Sequence, residues 1–119
     1  MLPLDKIKND TELLNNIDWE MTPEEAVRLY LEWGNNWARG NYVIRSKNDH
    51  TLYFTVSTWR EPPMIYLIQR NSEEAREIIA IEMPERLQQQ FWAENGRNKG
   101  VYSIEGVVKR WLKNELAVA

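Results

Sequence analysis

The sequence predicts an α+β fold: a three-stranded antiparallel β-meander (42–46, 51–58, 64–69), preceded by one main helix (23–36) and followed by two or three helices (72–83, 84–95, 103–116). Three observations lead there. The run TLYFTVST at 51–58 alternates, with Leu52, Phe54 and Val56 on one side and Tyr53, Thr55 and Ser57 on the other, the period of a half-buried strand. The run MIYLIQ at 64–69 is almost continuously apolar, as a strand covered on both faces or along one edge would be. On either side of these runs, apolar residues recur at spacings of three and four, the period of amphipathic helices.

The elements follow in order. Residues 5–17 hold Ile7, Leu13, Leu14 and Ile17 among Asn and Asp, so 1–18 are expected as an arm that docks on the body or as a partly ordered tail. Thr22-Pro23-Glu24-Glu25 joins an N-cap hydroxyl, a first-turn proline and an acid at the third position, and it opens the main helix. Ala26, Val27, Tyr30, Trp33 and Trp37 form its stripe, expected to lie across the sheet. A polar break, Lys47-Asn48-Asp49-His50, joins the first two strands as a hairpin. The Trp59-Arg60-Glu61-Pro62-Pro63 corner then separates the second strand from the third, because two prolines remove two ladder donors. The meander is the simplest order, with an order that puts the 64–69 strand in the centre as the alternative.

After the sheet, Ala75, Ile78, Ile79 and Met83 read as a helical stripe that Pro84 ends. Leu87 and Phe91 form the face of the next helix, with Trp92 beside them and Asn95-Gly96 as its stop. Val101 and Tyr102 read as an extended pair. Ser103 is then the expected cap of the last helix, whose apolar positions are Ile104, Val107, Val108, Trp111, Leu112 and Leu116. There is no internal repeat or linker, and the expectation is one compact domain over 1–119.

Composition narrows the chemistry. The chain has no Cys and one His, which removes thiol catalysis and cysteine-based metal sites and fits a reducing compartment. No window approaches the ~20 apolar residues of a membrane span, and a soluble cytoplasmic protein is expected. Net charge is −3, divided unevenly: 1–83 carry 9 Lys/Arg against 14 Asp/Glu, or −5, while 84–119 carry 6 against 4, or +2. Phosphate neutralisation dominates nucleic-acid affinity, so this balance disfavours nucleic acid as the partner. A local patch from Arg86, Arg97, Lys99, Lys109, Arg110 and Lys113 is the form such binding would take.

No catalytic residue is assigned, and the sequence leaves open whether the protein is an enzyme. His50 beside Asp49 falls in a turn without a pocket, most acids sit at helix starts where the dipole explains them, and neither a metal nor a cofactor is expected. Arg97 and Lys99 precede Ser103, whose expected free helix amides make a candidate anion site. Six Trp and five Tyr against two Phe are the compositional signature of an interface as much as of a core. The preferred reading is a small non-enzymatic interaction module, a homodimer or the subunit of a larger partner, binding through Tyr42, Tyr53, Trp59 and Tyr66. The runner-up is a small-ligand-binding or enzymatic subunit with a pocket between the 23–37 helix and the sheet, lined by Trp33 and Trp37. Weak RNA or single-stranded nucleic-acid binding is third.

Overall fold

The computed structural model describes residues 3–24, 51–70 and 75–118. Its centre is a four-stranded antiparallel sheet of β1 (Thr51–Ser57), β2 (Met64–Arg70), β3 (Ala75–Glu82) and β4 (Val101–Tyr102), in the order β3-β2-β1-β4. The α+β class and the three-stranded meander are both present. The meander, however, runs β1-β2-β3, so that the 64–69 run lies between two neighbours. The expected 42–46 strand lies outside the described residues. On the side of β1 away from β2, Ile17 bridges Leu52 in parallel and β4 pairs with Val56 and Ser57.

The predicted 72–83 helix is corrected: Ala75–Glu82 is a strand. The register explains how the sequence imitated a helix. Leu67 pairs with Ile79 but Ile68 with Glu77, so Ile78 is an extra residue in β3. Such a bulge bends the strand and lets adjacent side chains approach the same core. Ile79, Ile81 and Met83 are buried at period two, and Ile78, half-buried, joins them against the same cluster. Spacings of three and four thus arise from a bulged strand.

One face of the sheet carries Leu52, Phe54, Val56, Ile65, Leu67, Ile79 and Ile81, all buried. Among the described residues, three pieces of chain cover it. The N-terminal segment, with a 3-10 turn at Pro3–Lys6 and helix α1 (Thr11–Asn15), contributes Leu4, Ile7 and Ile17. Helix α2 (Glu85–Asn95) contributes Leu87 and Phe91, and helix α3 (Val107–Glu115) contributes Val107, Val108 and Leu112. Fully burying each such side chain stabilises the fold by roughly 1.5–3 kcal/mol. Asp10 caps α1 by accepting the Leu13 N–H at 3.1 Å, and Asp18 N–H donates to Leu52 O at 2.7 Å, fixing the segment to the sheet.

The expected half-buried strand is also corrected. Every residue from Leu52 to Thr58 is buried. Tyr53, Ile68 and Met21 form a second buried cluster with Tyr66 packed against it, so β1 is covered on both faces. Pro23 and Glu24 are helical, and the rest of the predicted 23–36 helix lies outside the described residues.

The predicted 84–95 helix is present as α2, with Pro84 as its N-cap residue. The last helix starts later than the predicted 103: Gly106 is the N-cap residue of α3, and Ser103 does not cap it.

Candidate interaction site

At the end of β1 the chain passes from core to surface within two residues. Thr58 is buried and tied to the loop after α2. Its N–H donates to Gly100 O at 2.9 Å, and its Oγ1 accepts the Gly100 N–H at 2.8 Å. The Thr58 hydroxyl lies 3.2 Å from both Asn98 O and Gly100 O, either of which can take its proton. Trp59 follows with 59% of its surface exposed, and Arg60 and Glu61 are exposed as well. The corner returns at Pro63, which is buried and whose carbonyl accepts the Met83 N–H at 2.9 Å. The corner is therefore pinned at both ends, and Trp59 is the exposed large hydrophobic residue among the described ones.

Helix α2 forms the facing wall. Gln88 and Trp92 lie one turn apart and so share a face. Gln88 is held by its Nε2 donating to Met83 O at 2.7 Å. Trp92 packs edge-on against Phe91 with centroids 5.2 Å apart, and Tyr102 packs on Phe91 at the same distance. The helix stops at Gly96, whose φ of 74° is a conformation that glycine adopts without penalty and whose N–H reaches Trp92 O at 2.9 Å. That turn brings the Arg97 guanidinium to 5.7 Å from the Trp92 ring centre, a cation–π contact.

Between the two walls lies an open cleft of about 440 Å³, lined by Glu61, Pro62, Pro63, Gln88, Trp92 and Arg97. Among the described residues, Glu61 and Arg97 line this cleft without forming an ion pair with each other or with a third residue. Its lining is mixed: an indole and two prolines together with an amide and one charge of each sign.

The sequence-predicted residues are distributed as follows. Trp59 is exposed at the corner. Tyr53 is fully buried, which corrects its expected place on a binding surface. Tyr66 is half-buried against the second cluster. Tyr42, Trp33, Trp37 and His50 lie outside the described residues, and with them the expected pocket beside the 23–37 helix.

Arg97 and Lys99 are exposed and Ser103 is half-buried, but the helix amides expected at Ser103 are at Val107 instead. That N-terminus is filled by the protein's own carboxylate: Glu94 Oε1 accepts the Val107 N–H at 2.9 Å and Glu94 Oε2 lies 3.6 Å from Arg110. Part of the basic patch is similarly engaged. Lys109 pairs with Glu20 at 3.0 Å, and Lys113 lies 5.4 Å from the ring centre of Trp19. The Lys109 ammonium, by hydrogen bond and then by charge, holds the Glu20 carboxyl below the ordinary glutamate range, with Lys113 adding to it. Among the described residues no cluster of three or more His, Asp or Glu side chains is arranged to hold a metal ion, and no helix is long and apolar enough to cross a membrane.

Sequence reasoning missed Glu61, Pro62, Pro63, Gln88 and Trp92 as members of one site. The available signal was the Gln88/Trp92 spacing together with a double proline; what was missing was the Thr58–Gly100 pairing that sets the corner beside the end of α2. No protein-family model matches the chain, and no curated protein or solved structure is detectably similar to it.

Proposed function

We propose that this chain is a small non-enzymatic protein-interaction module that engages its partner through the Trp59–Pro63 corner and the cleft beside it. The observation that carries the reading is Trp59, which presents 59% of its surface to solvent on a corner anchored at both ends. An indole is costly to leave in water, and exposed Trp on a rigid support is the residue type that most often dominates binding energy at an interface. The adjoining cleft offers a contact centred on Trp both apolar partners, Pro62, Pro63 and Trp92, and polar ones, Glu61, Gln88 and Arg97. The module reading takes over from the Tyr53 face of the sheet, since that face is buried.

A photo-crosslinking amino acid at position 59 of the full chain, compared with one at exposed Glu105, tests the reading in the cells that make the protein. Discrete protein adducts from position 59 and none from Glu105 are expected. Equal labelling at the two positions, or no protein adduct from position 59, overturns it.

A further inference from the structure

We infer that the partner at this site is a second copy of the same chain, docked about a two-fold axis so that each Trp59 enters the cleft of the other; the inference rests on the interaction reading above. Three features support it. Trp59 belongs to the corner that walls the cleft but is not among the residues lining it. One five-residue corner therefore contributes both an exposed indole and part of the wall of a recess. That is the arrangement a two-fold contact requires, since the same patch must serve as both donor and acceptor.

The second feature is charge. Glu61 and Arg97 line one cleft with no ion-pair partner among the described residues. The cleft lining, with one such charge of each sign, is complementary to itself under a two-fold rotation that brings Glu61 of each copy to Arg97 of the other, and exposed Arg60 on the same corner is a further positive charge beside it. A partner of one predominant charge would leave one of the two unpaired, and an unpaired charge buried in an interface is penalised.

The third is preorganisation. Thr58, Pro63 and Gly96 fix the corner and the Arg97 turn through backbone hydrogen bonds. Little ordering entropy then remains to be lost when two such surfaces meet.

Light scattering on the purified full chain at rising concentration reads the result directly. A species of twice 14.2 kDa should accumulate. Trp59→Ala should weaken its dissociation constant by at least about thirtyfold, as for a central aromatic anchor. Glu61→Arg or Arg97→Glu alone should each weaken it about tenfold or more by opposing like charges, and the double reversal should recover most of the wild-type affinity. Circular dichroism confirms that each variant is folded; the three side chains are exposed, so the fold tolerates their replacement. A wild-type chain that stays monomeric overturns the second copy as partner, and protein adducts from position 59 then leave the interaction module standing. A dimer indifferent to Trp59→Ala and to both charge reversals overturns the proposed surface.

Discussion

Gly106 holds the start of α3 at φ 76°, and its Cα faces the Glu94 carboxylate so closely that an added Cβ would lie 2.6 Å from Glu94 Oε1. The positive φ strains any side chain, and an added Cβ would push the Glu94 carboxylate off the Val107 N–H. Gly106→Ala should destabilise the protein by about 1–3 kcal/mol, visible as a lowered thermal midpoint. Pairing it with Glu94→Ala should recover only the steric part, because the replacement also removes the carboxylate that caps Val107. Glu20 offers a pH-dependent test. Because Lys109 lowers the folded value of Glu20 below its unfolded value, the ion pair stabilises the fold above the unfolded value, and that contribution is lost as pH falls through the folded one. In Lys109→Ala the Glu20 carboxyl should titrate closer to the ordinary glutamate value when followed by NMR. At this scale Trp59 was legible because the prolines after it rule out a strand. Tyr53 was not: alternation locates two faces of a strand, but a face made of Tyr, Thr and Ser can be buried when another layer covers it, as β1 demonstrates.

Strand β3 is the element that the sequence disguised. Helix and bulged strand both place apolar residues at spacings of three and four, and only pairing partners distinguish them; those partners, Ile65 and Leu67 opposite Ile81 and Ile79, lie more than ten residues away. The acids and the Ala that favour helix in isolation are outweighed by three Ile that bury well on a pleated surface. Amide exchange should report this directly: over 75–82, protection should alternate between amides facing β2 and those facing away, instead of running continuously as in a helix. Ile79→Ala should cost about 2–5 kcal/mol by opening a cavity in the main core, whereas exposed Glu77→Ala should stay within about 0.5 kcal/mol; urea denaturation separates the two. Helices α2 and α3 were legible because their stripes are regular and Pro84 and Gly96 punctuate them. The start of α3 was misplaced because its cap comes from Glu94, on the preceding helix.

Across the whole molecule, the main core is closed from both directions of the chain, by Leu4, Ile7 and Ile17 from one side and by α2 and α3 from the other. Removing residues 1–9 takes Leu4 and Ile7 away, and at roughly 1.5–3 kcal/mol for each buried side chain the loss is a large share of the ~5–15 kcal/mol of a typical domain. The truncated chain should unfold at a clearly lower urea midpoint with more exposed apolar surface, as read by dye binding. The class of fold was visible from composition and period alone, whereas the arrangement of the cleft depended on contacts such as Thr58 with Gly100, which no local pattern encodes. The two-ended closure of β1 also bears on how the protein is made. Its outer edge is held at Leu52 by Ile17 and Asp18, which are synthesised before it, and at Val56 and Ser57 by Val101 and Tyr102, which follow more than forty residues later. A growing chain on the ribosome can therefore pair β2 with both β1 and β3 before the strand that binds Val56 and Ser57 has been made. Between the synthesis of β3 and that of β4, the Val56–Ser57 end of the sheet waits for the partner that pairs with it in the finished fold, and slow codons placed there would lengthen the wait.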